Sequence, residues 1–174
     1  LEVLDETAMT DPSNDYAVSK LAMEYVAKTY MARLGIVITR PFNYTGVGQE
    51  PRYLIPKIVN HFKARALRIE LGNTDVARDF SDVRDIAGAY RLLAEIQPHG
   101  ETFNLCSGEA TALESCIQMA SEITGHNIEV KVNPGFVRAN DVKTLCGSSE
   151  KLDSVTGRER HYAIRDTLEW MLKH

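Results

Sequence analysis

An α/β fold built on a parallel sheet is predicted by this sequence, and three observations predict it. A continuous β-branched run, Ile36-Val37-Ile38-Thr39, comes straight after a long amphipathic helical pattern and a glycine stop, Gly35, as a buried parallel strand does. Helical and extended patterns then alternate to the end of the chain, with no internal repeat and no linker. Directly after the β-branched run comes a stretch rich in turn formers, Arg40-Pro41-Phe42-Asn43-Tyr44-Thr45-Gly46-Val47-Gly48-Gln49. Open α/β sheets gather ligands outside the carboxyl ends of their strands, so this stretch marks the expected site.

The totals bound the rest. The 174 residues suit one ordinary domain, and an apolar share of 44% is enough for a packed core. A net charge of −4 gives no global attraction to nucleic acid or to an anionic membrane, so any anion site has to be a local arginine feature. Three cysteines, Cys106, Cys116 and Cys146, in unrelated contexts, and five histidines without ligand spacing point to reduced thiols in a cytoplasmic protein, with no metal. No apolar run approaches the ~20 residues of a membrane span.

Each element has its own signal. Residues 1–10, containing Glu6, have no period and form a loop. Asp11-Pro12-Ser13-Asn14-Asp15 supplies turn and cap residues for a helix over 14–34, whose apolar stripe is Val18, Leu21, Ala22, Tyr25 and Val26. A helix over 54–66 buries Leu54, Ile55, Ile58, Val59 and Phe62, and a strand over 67–71 ends at Gly72-Asn73. Residues 78–82 are a short extended piece before a helix over 83–96, with Val83, Ile86, Ala87, Tyr90, Leu93 and Ala94 inward. Residues 102–106 form a strand by propensity. Thr111-Ala112-Leu113-Glu114 has the form of a capping box, and the helix it opens packs through Leu113, Cys116, Ile117, Ala120 and Ile123 and stops at Gly125. A half-buried strand over 128–132, an irregular stretch over 133–148 and helices over 150–155 and 164–172 complete the chain, with Arg158-Glu159-Arg160-His161 as a solvated loop between the last two.

Two Tyr-x-x-x-Lys pairs stand out. A tyrosine and a lysine four apart on a helix lie ~40° apart around the axis and ~6 Å apart along it, so both can reach one bound molecule. Tyr16 and Lys20 satisfy this near the start of the first helix. Tyr53 and Lys57 do not, because Pro56 has to lie in a first helical turn and leaves Tyr53 at or before the helix start. A phenol is a poor base at neutral pH, and a neighbouring ammonium favours its ionised form.

Four segments, in order, resemble one family: Tyr16-Ala17-Val18-Ser19-Lys20, Arg40-Pro41-Phe42-Asn43-Tyr44-Thr45-Gly46, Arg78-Asp79-Phe80-Ser81-Asp82-Val83-Arg84-Asp85 and Asn104-Leu105-Cys106-Ser107-Gly108. They are similar to the extended short-chain dehydrogenase/reductases, the NAD-dependent epimerase/dehydratase family of nucleotide-sugar enzymes. Within it, Gly72-Asn73 and the Arg40 segment are most similar to GDP-4-keto-6-deoxymannose reductases and then to GDP-mannose 4,6-dehydratases. The family's glycine-rich G-x-x-G-x-x-G turn and its catalytic Ser or Thr have no match here. The resemblance therefore implies the C-terminal half of a Rossmann-type fold, part of the parallel sheet plus a small α/β substrate-binding domain, with the first mononucleotide-binding half absent.

The domains it implies are residues 1–53, ending the NAD(P)-binding domain, and 54–174, mainly binding substrate, with 83–106 returning to the sheet. Implied catalytic residues are Tyr16 and Lys20. Cofactor contacts fall to Tyr16, Lys20, Pro41 and Phe42, for an NAD or NADP whose site lies mostly in the absent half. Substrate contacts fall to Asn43, Arg78, Arg138 and Asp141, the arginines on phosphate and Asp141 on ribose, with an ion pair of Arg78 to Asp79 or Asp82 as the competing structural role. The implied activity is reduction of the 4-keto group of a GDP-4-keto-6-deoxyhexose by an enzyme that dimerises through the Tyr16–Lys20 helix. A 4,6-dehydratase or 4-epimerase is the alternative enzyme, and a non-catalytic sugar-nucleotide-binding or dimerisation fragment the alternative of another class.

Overall fold

The computed structural model describes residues 3–137 and 141–174. Nine strands and six helices follow one another among them: β1 (Val3–Leu4), α1 (Asp15–Tyr30), β2 (Ile38–Pro41), β3 (Asn43–Thr45), α2 (Leu54–Lys63), β4 (Arg68–Leu71), β5 (Ala77–Asp82), α3 (Val83–Ile96), β6 (Thr102–Leu105), β7 (Ala110–Ala112), α4 (Leu113–Thr124), β8 (Glu129–Val132), β9 (Thr144–Gly147), α5 (Glu150–Thr156) and α6 (Ile164–Lys173).

The expected parallel sheet is present. Its main part runs β1-β9-β5-β3, all parallel, with β7 antiparallel on β5. β2 pairs in parallel with β6, Ile38 opposite Thr102 through Pro41 opposite Leu105, and β4 pairs in parallel with β8. β5 is the centre of the architecture. Its first half lies between β9 and β7, and its second half, Phe80 to Asp82, pairs with Asn43 to Thr45.

Two apolar cores cover this frame. The larger joins Ile55, Ile58, Val59 and Phe62 of α2 to Ile69 and Leu71 of β4, Cys116 and Ala120 of α4, and Leu168 and Met171 of α6. The smaller joins Ile86, Ala89 and Leu93 of α3 to Phe103 and Leu105 of β6 and Leu152 of α5. Each large apolar side chain fully withdrawn from water in these cores contributes about 1.5–3 kcal/mol. Burial alone raises the Cys116 thiol to about 12, and burial with the nearby Asp79 charge does the same for Cys106, so both stay protonated at neutral pH.

Several expectations need correction. α1 ends at Tyr30 rather than at residue 34, and Gly35 is not its stop: a Cβ there would lie 2.4 Å from the His99 ring. The inward row of α1 is Ala17, Leu21, Glu24 and Ala27, all only half-buried, whereas Val18, Ala22, Tyr25 and Val26 face solvent. On α3, Ala87, Tyr90 and Ala94 are exposed, and Asp85 and Ala89 are buried in their place. Residues 1–10 contain β1, the turn-rich stretch contains β3, and the irregular stretch contains β9 and a 3-10 turn, Pro134–Phe136. β8 is exposed along its whole length. The capping box does not form, because Thr111 is paired with Arg78 in β7 and the chain runs from strand into α4 through Ala112. Arg158 is no solvated residue: its side chain is 5% exposed, bonded to Asp153 and to the Cys106 carbonyl.

The junction of β5 and α3 is held by Asp82. Its side chain caps α3 by accepting from the Arg84 amide at 2.8 Å, forms a two-point pair with the Arg84 guanidinium at 2.9 and 2.7 Å, and accepts from Thr167 Oγ1 of α6 at 2.8 Å. Arg84 is itself stacked between the rings of Tyr162, at 3.6 Å, and Trp170, at 3.9 Å. Burial raises the Asp82 carboxyl, but the bonds from Arg84 and Thr167 prevail and hold it below its ordinary 3.8. The sign follows: stability from Asp82 is fully present above the unfolded-state value and is lost as pH falls through the lower folded-state one. Asp82→Asn is therefore expected to lower stability at neutral pH and to flatten the acid limb of a urea-midpoint profile below about pH 4. An acid limb of unchanged slope would assign that limb to other carboxylates.

Candidate active site

The first turn of α1 forms because the Asn14 side chain accepts from the Ala17 amide at 2.9 Å, which places Tyr16 and Lys20 one turn apart at the start of the helix. Lys20 Nζ lies 5.4 Å from the centroid of the Tyr16 ring. Tyr16 is 72% exposed and opens onto a cleft of about 600 Å³, whose other walls include Arg40, Pro41, Phe42, Asn43 and Tyr53. The ring of Phe42 seats against Gly147, where a Cβ would come within 2.7 Å of it. Below the strand end, Thr45 Oγ1 donates to Gln49 Oε1 at 2.7 Å and fixes the turn that follows β3.

A second cleft, of about 890 Å³, adjoins the first and shares Asn43, Tyr53, Leu54 and Phe80 with it. Arg78, Asp141 and Lys57 are on its far walls. Arg78 Nη2 donates to Asp141 Oδ1 at 2.7 Å, and its Nη1 donates to the Ala77 carbonyl at 2.8 Å. The two residues expected on phosphate and ribose thus hold each other, and Arg78 pairs with neither Asp79 nor Asp82 in the ion pairs among the described residues. The pair is only 15% and 17% exposed, so the guanidinium is held in place by its partners. Arg138 lies outside the described residues.

Tyr53 is the N-cap of α2, with extended backbone, as the position of Pro56 requires. Lys57 turns away from it, donating to the Glu70 carbonyl at 2.6 Å and lying 4.6 Å from the Phe136 ring centroid. Although this second pair is no Tyr-Lys dyad, both residues line the second cleft, and Tyr53 stands where the two clefts meet. Their signal in the sequence was position, in the first turn of the helix that follows the turn-rich stretch. A third cleft, of about 750 Å³ between α4 and β8, contains none of the expected site residues.

An exposed phenol with the Lys20 ammonium over its ring, and an apolar border at Pro41 and Phe42, are groups of the kind that could hold a nicotinamide ribose and ring. Among the described residues, no group of three His, Cys, Asp or Glu side chains could hold a metal, and no helix is long and apolar enough to cross a membrane.

Comparison with known proteins gives the family of the chain. The chain is 37% identical over 175 residues to a GDP-6-deoxy-D-talose 4-dehydrogenase of Aggregatibacter actinomycetemcomitans, covering 99% of the chain and 59% of the relative. It is 30% identical over 176 residues to a GDP-6-deoxy-D-mannose reductase of Pseudomonas aeruginosa, covering 97% of the chain and 58% of that relative. Among solved structures, a proposed epimerase from Burkholderia cenocepacia J2315 superposes with a TM-score of 0.95 at 55% identity, over 98% of this chain and 56% of that one. The structure of RMD from Pseudomonas aeruginosa complexed with NADPH does so with a TM-score of 0.91 at 29% identity, over 99% of this chain and 59% of that one.

The chain thus spans 56–59% of these proteins. That extent corrects the expectation of a C-terminal half with the first mononucleotide-binding half absent: the matched region exceeds half of each relative and takes in nucleotide-binding fold. The model of one family, described as GDP-mannose 4,6 dehydratase, matches residues 2–171, and the chain belongs to that family.

Proposed function

We propose that the whole protein is an NAD(P)-dependent nucleotide-sugar oxidoreductase that reduces the 4-keto group of a GDP-4-keto-6-deoxyhexose. The observation that carries the proposal is the continuity of the two clefts. Tyr16, Pro41, Phe42 and Asn43 border the first; Asn43, Arg78 and Asp141 border the second. A ligand with a reactive sugar at one end and a diphosphate at the other spans such an arrangement. The names of the two curated relatives, a GDP-6-deoxy-D-talose 4-dehydrogenase and a GDP-6-deoxy-D-mannose reductase, support the base, the deoxy sugar and the reaction type.

In this reading Tyr16 donates its phenolic proton to the C4 carbonyl oxygen, Lys20 places a positive charge beside the phenol, and Asn43 orients the sugar. The bound dinucleotide supplies the hydride. Pro41 and Phe42 exclude water from one side of the site. Arg78 neutralises the diphosphate, with Asp141 either holding the guanidinium flat or releasing it to turn to a ribose hydroxyl. In this reading residues 1–53 form the cofactor side and 54–174 mainly the substrate side, although β5 and β9 of the second range belong to the parallel sheet and β6 pairs with β2. The exposed Val18, Tyr25 and Val26 of α1 support a homodimer packed through that helix.

The test is an assay of the whole protein with GDP-4-keto-6-deoxymannose and NADPH or NADH. Turnover to a GDP-6-deoxyhexose is expected, and Arg78→Ala is expected to raise KM by roughly 10-fold to 100-fold, equivalent to a charge-assisted bond of about 1.5–3 kcal/mol. No reduction of any 4-keto sugar nucleotide with either cofactor would sink the proposal, and dehydration of GDP-mannose instead would move the protein to the dehydratase class.

A further inference from the structure

The helix that carries Tyr16 and Lys20 is loosely packed. None of its residues is fully buried, and its inward row contains a carboxylate, Glu24, where an apolar residue would ordinarily sit. That carboxylate meets Arg40, the residue directly before Pro41 and Phe42. Arg40 Nε donates to Glu24 Oε1 at 2.9 Å and Nη2 donates to Glu24 Oε2 at 2.8 Å, while Nη1 donates to the Glu6 carbonyl at 3.1 Å. The two side chains are 24% and 14% exposed.

The network continues into the sheet. Glu6 Oε1 accepts from the Asn104 amide at 2.7 Å, and Asn104 Nδ2 donates to the Leu4 carbonyl at 3.0 Å, tying β1 to β6. Asn104 is the residue opposite Arg40 in the β2–β6 register. Arg40 borders the first cleft, yet its Nε, Nη1 and Nη2 are all turned to Glu24 and Glu6. Hydrogen bonding from Arg40 outweighs burial and holds the Glu24 carboxyl below its ordinary range, so the pair is charged at neutral pH.

We propose that Glu24 and Arg40 are a positioning pair: their two-point bond fixes the helix of Tyr16 and Lys20 against the Pro41-Phe42-Asn43 strand end, and so sets the rate of proton transfer without touching substrate. The proposal rests on the reading of Tyr16 as proton donor. An arginine suits the task because its planar fork fixes orientation as well as distance, which a lysine ammonium does not. Placement matters because a 1 Å displacement of a catalytic group can cost about 100-fold in rate.

The experiment compares Glu24→Gln, Arg40→Lys and the double variant in the whole protein. It reads kcat, KM for the sugar nucleotide, and hydrogen exchange of the amides of residues 15–30. Each single variant is expected to lower kcat by at least about tenfold with KM within about twofold of wild type. The double variant is expected to be no slower than the worse single one, since both remove the same bond. Amides of α1 should exchange faster while those of α3 and β6 keep their protection.

A general loss of stability would instead loosen α3 and β6 too. A rise in KM at constant kcat would mean that Arg40 contacts the ligand, and unchanged exchange in α1 would mean that the fork does not hold the helix; either overturns the proposal. Failure of the underlying reading shows separately, as a wild-type protein without turnover on any sugar nucleotide. The hold of the fork on the helix then stands or falls on exchange alone.

Discussion

Tyr16→Phe in the whole protein is expected to lower kcat by roughly 10²-fold to 10⁴-fold, the range by which a positioned proton donor accelerates a reaction. The fold should not notice the change. Tyr16 is 72% exposed and contacts its surroundings chiefly through the Lys20 ammonium over its ring, so removal of its hydroxyl shifts stability by no more than about 0.5 kcal/mol. KM should also change little, because Asn43, Arg78 and the second cleft are untouched. Lys20→Met is expected to lower kcat as well, by removing the charge beside the phenol. Stopped-flow reduction of the 4-keto sugar nucleotide, with melting curves alongside, measures both. A Tyr16→Phe protein that turns over at the wild-type rate would remove Tyr16 from the chemistry. A loss of activity matched by a loss of melting temperature would make it structural.

The pair at the start of α1 was legible because its signals are local: a cap residue, a four-residue spacing and a helix start. The same is true of α2 and α3, which begin where the residue pattern places them. Failures of the sequence reading occur where tertiary partners decide the structure. Four of the six residues of β5 are polar, Arg78, Asp79, Ser81 and Asp82, and nothing in a periodicity suggests that this is the most connected strand of the sheet. It is tolerated there because its charged residues have partners supplied by residues far away in the chain: Asp141, Ser107, Gly147 and Thr167. Thr111 shows the converse. Its local pattern favours a cap, and a strand pairing with Arg78 prevails.

The same distinction separates the visible from the hidden parts of the site. Tyr16 and Lys20 are suggested by spacing, and Pro41, Phe42, Asn43, Arg78 and Asp141 by the resemblance of their segments, but the shared wall of the two clefts is suggested by neither. Nor is the pairing of Arg78 with Asp141, 63 positions apart. Glu24 was hidden because the apolar stripe of the sequence, Val18, Leu21, Ala22, Tyr25 and Val26, puts it on the polar face of α1, whereas the folded helix turns it inward. Its partner was hidden too, since Arg40 sits in a strand whose register with β6 only the folded chain reveals.

Asp79 is where the largest loss of stability is expected. The side chain is completely buried, and among the described residues it forms no ion pair; its four hydrogen-bond donors come from the turn after β6 and from the end of β9. Oδ1 accepts from the Ser107 amide and the Ser107 hydroxyl, both at 2.7 Å, and Oδ2 accepts from the Gly108 amide at 3.0 Å and the Gly147 amide at 3.3 Å. One carboxylate therefore joins β5 to the turn after β6 and to the end of β9. Asp79→Ala leaves three backbone amides without acceptors in a place water cannot easily reach, and is expected to cost on the order of 3–5 kcal/mol. For a chain of this size that lowers Tm by on the order of 10 °C. Asp79→Asn should fall between alanine and wild type. Its single oxygen can serve one pair of donors, and its NH₂ then faces the other pair, of which only the Ser107 hydroxyl can turn to accept. Urea titrations of the three proteins order them, provided the slopes agree. Equal midpoints for aspartate and alanine would mean that water satisfies these amides. The same change bears on the site, since Gly147 is the seat of the Phe42 ring, and a strand end freed from Asp79 no longer holds that ring against the first cleft.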